Sequence, residues 1–310
     1  MPRQLVVLGT ASMAPTRERN HNGHLLRWDD LGILFDPGEG TQRQLLLAGE
    51  RSSSITHIAI THRHGDHLLG LPGILQRMAL DQRRSPLVLI HPAHATTTID
   101  HLLALGLYQP AWPIIRKVLP DDAPTSVQLD DTTSLQAVPL DHRVPALGYR
   151  IVEAAGLRVD PHRLALLDMG GPVVGRLLRE GQVHHGGRMV AVEEVTLHRQ
   201  GQAMAFVMDT RSCDAVEELL ADADLGVVEA TFLDADEDAA ESFGHLTAGQ
   251  AGRHAAAAGV RRLVLTHFSQ RYGDVGQFAD QARCHHSDVV AAVDLDRIDV
   301  PARLTSAVGS

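Results

Sequence analysis

The densest chemistry in this sequence is His62-Arg63-His64-Gly65-Asp66-His67, three imidazoles and a carboxylate directly after the apolar run Ile55 to Ile60. A loop leaving a strand can aim side chains i and i+2 to one side. His62 and His64 can therefore face one point and make half of a tetrahedral metal site, while Asp66 and His67 begin a second site beside it. Imidazole and carboxylate donors suit Zn²⁺, with Mn²⁺ a workable substitute. The missing donors must come from distant strand ends. His142 follows Leu135 to Leu140, Asp209 follows Ala-Phe-Val-Met, and His267 follows Arg-Leu-Val-Leu-Thr. Singly, each is an ordinary polar residue at the end of an apolar run. Together they add a third His for the first metal, a bridging carboxylate, and a His for the second.

The elements that must position these groups follow an α/β pattern in which strands run into polar loops. Gln4 to Leu8 reads as a buried strand. His24 to Trp28 and Gly32 to Asp36 read as strands joined in a hairpin at Asp29-Asp30, with a turn at Asp36-Pro37-Gly38-Glu39-Gly40 and a helix over Thr41 to Ala48. Further helices are expected over Leu68 to Leu80, broken early by Pro72-Gly73, over Ala93 to Leu105, over Asp214 to Ala221 and over Thr247 to Ala258. Further strands are expected at Leu87 to Ile90, Ala205 to Met208, Val227-Val228 and Leu263 to Leu265. Residues 150–200 break the pattern with Gly170-Gly171, Gly186-Gly187, Pro161 and Pro172, and read as an inserted arm rather than core.

The 310 residues carry 28 Lys+Arg against 38 Asp+Glu, a formal net charge of −10, which excludes a surface that is basic all over. The 44% hydrophobic content is enough for a real core. Aromatics at 4% argue against a stacking platform of Phe, Tyr and Trp. Cys213 and Cys284 cannot build a disulfide framework, suit a reducing cytoplasm, and read as buried thiols. The N-terminal residues show no signal-peptide pattern, and no apolar run reaches the ~20 residues that cross a bilayer, so no membrane partner is expected.

The chain resembles the ribonuclease Z family, the tRNA 3′-processing endonucleases of the metallo-β-lactamase superfamily, nearly from end to end. The resemblance is carried by LGTASMAPTRERN, FDPGEGTQRQL, THRHGDHLLGLPGIL, LDHRVPALGYR, VMDTR, VEATF, GHLTAGQA and THFSQRY, in order. It implies a single αββα metallo-β-lactamase sandwich over 1–310 carrying a flexible tRNA-binding arm at 150–200, with two Zn²⁺ per subunit. His62, His64 and His142 would bind the first zinc. Asp66, His67 and His267 would bind the second, and Asp209 would bridge. Asp66 is also the family's proton acceptor. The resemblance further implies a homodimer acting on precursor tRNA, removing its 3′ trailer to leave a 3′-hydroxyl on the tRNA and a 5′-phosphate on the trailer. Two departures stand out: Met208 replaces the family's usual Gly before Asp209-Thr210, and Val228 its usual His before Glu229-Ala230-Thr231.

Phosphodiester hydrolysis also needs a proton for the leaving oxygen. His245 is expected to supply it, with Glu229 holding the ring; the alternative is that His245 caps the helix beginning near Thr247. For RNA phosphates the candidates are Arg17, Arg19 and Asn20 in the first loop. In the arm they are Gly171-Pro172 with Arg176 and Arg179, joined by Arg163 and Arg188. His184-His185 and His285-His286 read as surface pairs, and His91, His94 and His101 as a polar face. Three rival readings remain: a superfamily hydrolase of small phosphodiesters, disfavoured by the arm; an RNA-binding protein without catalysis, disfavoured by the intact donor set; and an iron oxidoreductase, which would carry Glu at position 64.

Overall fold

The computed structural model describes residues 3–105 and 111–303. Six strands come first: β1 (Gln4–Gly9), β2 (Gly23–Trp28), β3 (Leu31–Phe35), β4 (His57–Ala59), β5 (Leu87–Pro92) and β6 (Ile114–Leu119). They alternate with helices α1 (Thr41–Leu47), α2 (Gly65–Leu68), α3 (Leu71–Leu80) and α4 (Thr96–Ala104). Next come β7 (Thr125–Gln128), β8 (Thr133–Leu140) and β9 (Ala146–Glu153). The segment expected as an arm holds β10 (Gly156–Val159), α5 (Pro161–Leu166), α6 (Pro172–Glu180), β11 (Gln182–His185), β12 (Arg188–Ala191) and β13 (Thr196–Arg199). The chain returns through β14 (Ala203–Val207), α7 (Asp214–Leu220), β15 (Leu225–Glu229), α8 (Glu237–Phe243), α9 (Ala248–Ala257), β16 (Leu263–Thr266), α10 (Gly276–Arg283), β17 (Val289–Ala291) and β18 (Arg297–Asp299).

Contacts divide the chain into two compact units, one formed by the chain through Val152 with Ala203–Ala302, the other by Glu153–Gln202. In the first, two seven-stranded sheets run in the orders β18-β1-β2-β3-β4-β5-β6 and β17-β16-β15-β14-β9-β8-β7. Strand alternation explains the layers, because successive side chains point to opposite faces. Leu5, Val7, Ile33 and Phe35 of one sheet meet Leu147, Tyr149, Phe206 and Val227 of the other in a core between the sheets. Val6, Leu25 and Leu34 face the other way, onto Leu45 of α1, Ile74 of α3 and Ile99 of α4. Val228 and Leu265 face α7, α9 and α10 through Val216, Ala251 and Phe278. The result is the αββα sandwich of the metallo-β-lactamase fold.

The expected helix over Leu68 to Leu80 is α3, which begins at Leu71, and the short α2 precedes it over Gly65–Leu68. Pro72 does not break α3 but sits in its first turn, where its missing N–H costs nothing. Gly70 caps the start of α3 where a Cβ would lie 2.0 Å from the Gly38 carbonyl, so the two glycines let the loop after β3 press against the loop after β4.

The second unit is regular despite its weak periodicity. β10 pairs with β13 and β11 with β12, both antiparallel. Met169, Leu177, Val183, Val190, Val192 and Val195 form a small apolar cluster of its own. Gly171, at a positive φ of 62°, precedes Pro172 at the start of α6.

Candidate metal centre

Every donor singled out by its place after a strand lies at one end of the sandwich. His62, His64, Asp66 and His67 follow β4, His142 follows β8, Asp209 follows β14, and His267 follows β16. In the first group, His62 Nε2 and His142 Nε2 lie 2.9 and 3.4 Å from His64 Nδ1, and 3.5 and 3.6 Å from Asp209 Oδ2. In the second, His67 Nε2 and His267 Nε2 are 3.2 Å apart. They lie 3.4 and 3.6 Å from Asp66 Oδ2, and 3.4 and 3.2 Å from Asp209 Oδ1. One oxygen of Asp209 therefore faces each group.

This donor set fits two divalent cations. Four ligands about 2.1 Å from a zinc ion stand roughly 3.4 Å from one another, the spacing seen in both groups. Asp209 Oδ1 is buried without a hydrogen-bond partner, a costly state for a carboxylate unless a cation meets it. Among the described residues, the ion-pair partners of Asp36, Asp66, Asp209 and Glu229 are imidazoles alone, and no Arg or Lys neutralises these carboxylates.

The rings are held from behind. Asp36 accepts from His67 Nδ1 at 2.8 Å and from the Thr61 hydroxyl at 2.7 Å, and that hydroxyl accepts from His62 Nδ1 at 2.9 Å. Glu229 accepts from His245 Nδ1 at 2.9 Å and from the Thr231 hydroxyl at 2.7 Å, and that hydroxyl accepts from His267 Nδ1 at 3.0 Å. His142 Nδ1 donates to the Gly244 carbonyl at 2.7 Å. A hydrogen bond at Nδ1 fixes the tautomer and turns Nε2 toward the cation. Asp36, Asp209 and His267 adopt left-handed backbone, at φ of 43°, 48° and 64°. Such conformations cost of order 1–3 kcal/mol each and cluster where side chains must be aimed.

Burial disfavours charge on His62, and the nearby rings push its pKa further below the usual value. Burial acts the same way on His67, but Asp209, Asp66 and Asp36 outweigh it and raise that ring well above. Burial opposes ionisation of Asp66, yet the adjacent His67 holds its carboxyl well below the usual range. His245 is raised to about 9, because Glu229 more than offsets burial.

His245 does not cap the following helix. Thr247 does, accepting from the Gln250 amide while Gln250 reaches back to the Thr247 N–H. His245 opens instead onto the cleft, of ≈ 210 Å³, that also holds His64, Asp66, His142, Asp209 and His267.

The phosphate candidates divide. Arg17 is exposed. Arg19 is 7% exposed, and its guanidinium donates to the Ser269 and Tyr272 carbonyls at 3.1 and 3.0 Å, pinning two loops. Asn20 donates to the His21 and Glu39 carbonyls. These two residues shape the rim of the site from inside rather than projecting from it. Arg163 donates to the Thr196 carbonyl and Arg188 pairs with Glu194, whereas Arg176 and Arg179 are exposed on α6. Among the described residues the remaining histidines join no cluster of three or more donors. His286 is buried against the Val260 carbonyl rather than exposed, and neither cysteine is buried.

Asp36, Thr61, Thr231 and Gly244 hold the donor rings in place, and the sequence reading missed them. Asp36 carried the signal already used for Asp209, a carboxylate directly after an apolar strand. Phe232 and Phe243 also line the cleft, with their rings nearly parallel and centroids 6.2 Å apart.

Residues 3–122 match the family model of the Anti-Pycsar protein Apyc1, and residues 182–268 match the beta-lactamase superfamily domain. Ribonuclease Z of Nocardia farcinica is 51% identical over 302 residues, covering 97% of this chain and 99% of that one. Ribonuclease Z of Chlamydia trachomatis is 36% identical over 299 residues, 96% of this chain and 98% of its own. The crystal structure of human tRNase Z, short form, superposes with a TM-score of 0.71 at 25% identity, over 96% of this chain and 100% of that one. Identity at this level, along practically the whole of both sequences, makes the chain a member of the ribonuclease Z family.

Proposed function

We propose that this chain is a zinc-dependent endoribonuclease that removes 3′ trailers from precursor tRNA, leaving a 3′-hydroxyl on the tRNA and a 5′-phosphate on the trailer. The observation that carries the reading is the cleft in which two donor groups share Asp209 beside His245, in a chain 51% identical to a ribonuclease Z. His62, His64, His142 and Asp209 Oδ2 would hold one cation; Asp66, His67, His267 and Asp209 Oδ1 would hold the other. When bound, such a pair ionises a water near neutral pH and offsets charge on the phosphate.

The chain's own groups do the rest. Glu229 keeps His245 protonated and oriented, so the ring can donate to the departing 3′ oxygen. Asp66 accepts the hydrogen bond of the attacking water on its outer oxygen. Its low pKa makes it an orienting acceptor more than a strong base.

We further assign residues 150–200 to binding of the tRNA body, through Gly171, Pro172, Arg176 and Arg179, with Arg17 meeting phosphate nearer the first loop. Arg176 and Arg179 stand three apart on one helix, exposed and without an ion-pair partner among the described residues, as phosphate-binding groups would. We expect a cytoplasmic homodimer; no helix of the described residues is long and apolar enough to cross a membrane. Light scattering of the purified protein tests the dimer. The reaction is tested by incubating the protein with a 3′-extended precursor tRNA and mapping the cut. Cleavage just after the discriminator nucleotide, abolished by chelator and restored by Zn²⁺, is the expected result. No cleavage by metal-loaded protein overturns the reading.

A further inference from the structure

Aromatic rings are scarce in this chain, and nearly all of those described are interior. Phe35, Phe206, Phe268, Phe278, Trp28 and Tyr149 are fully buried. Among the described aromatics Phe243 is the one large exposed ring, at 46%, with Tyr272 only partly exposed, and Phe243 lies on the wall of the candidate metal cleft. It is the last residue of α8. Gly244 follows at a φ of 79°, a left-handed turn that lets its carbonyl reach His142 and brings His245 back into the site. The same turn therefore sets Phe243 and His245 on one wall.

Phe243 is also backed by a second ring. Its ring lies nearly parallel to that of Phe232, at 6.2 Å and 11°. Phe232 is itself only 4% exposed and lies 6.1 Å from His245 and 5.1 Å from the Arg271 guanidinium. A half-exposed phenyl group backed by another ring contributes little to the core. Set on the wall of the same cleft as the donor groups, it offers a π surface to a flat partner. Nucleobases stack on such rings whatever their identity, since every base has a π face.

We propose that Phe243, backed by Phe232, is a stacking shelf for the base of the nucleotide that gives up its 3′ oxygen, the last nucleotide kept on the tRNA. The side of the cut follows from the neighbour: the shelf adjoins His245, the proton donor to that oxygen, so it serves the leaving side of the scissile phosphate. The proposal rests on the precursor-tRNA reading above. It adds a specificity element that tolerates any base but needs one to be present.

The test is a cycle between protein and substrate, using kcat/KM for a precursor tRNA with a normal or an abasic discriminator nucleotide. Phe243→Ala and Phe243→Leu should each lose about 5- to 150-fold on the normal substrate, the usual size of a base–aromatic contact. Phe243→Trp should keep most of the activity. Leucine retains bulk without a π face, so it separates stacking from packing; metal content and unfolding midpoint check that each variant is folded. On the abasic discriminator the wild type should lose a similar factor and Phe243→Ala should lose nothing more. With the abasic site moved to the first trailer nucleotide, the Phe243→Ala loss should persist in full. Unchanged kcat/KM in Phe243→Ala, full activity in Phe243→Leu, or an undiminished Phe243→Ala loss on the abasic discriminator each overturns the shelf while leaving the reaction intact. A metal-loaded wild type that cleaves no precursor tRNA overturns both.

Discussion

Asp36 and Glu229 mirror each other across the metal centre. Each buried carboxylate grips one imidazole directly, His67 or His245, and a second through a threonine hydroxyl, Thr61 to His62 or Thr231 to His267. Neither belongs to the two donor groups themselves. Between them they anchor His62, His67 and His267 of the candidate metal centre together with His245, so the geometry of these four rings is set by the two strand ends that carry the acids.

Removing one anchor should therefore damage one side of the centre first. Asp36→Asn takes the charge from behind His67 and weakens the support of His62. Loss of such an outer partner typically costs 10- to 100-fold in metal affinity. Zinc titration of the variant should show weaker binding led by the site of Asp66, His67 and His267, with near-normal secondary structure by circular dichroism. Unaltered affinity at both sites would show that the hydrogen bonds to Asp36 do not orient the rings.

Asp209 should behave differently from any single histidine. Its Oδ2 faces His62 and His142 while its Oδ1 faces His67 and His267. Asp209→Ala should lower occupancy at both sites, whereas His142→Ala should leave the second site loaded. Metal analysis after dialysis at limiting free zinc distinguishes them. One full equivalent retained by Asp209→Ala would contradict a shared carboxylate.

How much of this was legible in the sequence depends on how local each signal is. The donors His62, His64, Asp66, His67, His142, Asp209 and His267 all stand directly after apolar runs, so the strand-to-loop pattern exposed them without any knowledge of pairing. Asp36 obeys the same rule, but Pro37-Gly38 beside it is a strong turn signal that masks it. Thr61, Thr231 and Gly244 acquire their roles only when separate strands and helices meet. Arg19 shows the opposite failure: a cation in a polar loop invites a phosphate-binding reading, yet its guanidinium is spent on the Ser269 and Tyr272 carbonyls across the fold. The regular structure of residues 153–202 escaped notice because its strands are four residues long, too short for alternation to register.

The His245–Glu229 pair should leave a mark on the pH profile. A ring raised to about 9 is protonated at neutral pH and can donate; it loses that proton, and the rate falls, as pH rises through its pKa. Bound cations repel the imidazolium, so the alkaline limb of kcat should lie below pH ~9. Glu229→Gln removes the largest charge holding the proton and should move that limb to lower pH. His245→Ala should lower single-turnover cleavage by about 10²–10⁴-fold with both metals retained, and its residual activity should lack the limb. A wild-type limb that survives in His245→Ala would assign it to another group.

Arg176 and Arg179 supply the last test, on substrate capture rather than chemistry. Both are exposed on α6, and no acidic partner competes for them among the described residues. If each meets a phosphate of the tRNA body, binding releases counterions, and affinity falls as salt rises in proportion to the number of contacts. Reversing both charges, with Arg176→Glu and Arg179→Glu together, should weaken precursor-tRNA binding at low salt and flatten log Kd against log salt by about two contacts. Cleavage should show a raised KM with kcat near wild type at saturating RNA, because the metal-facing donors all lie in the other unit. A salt slope identical to wild type would mean these arginines meet solvent and not RNA, and the phosphate contacts of the arm would have to be sought elsewhere in residues 153–202.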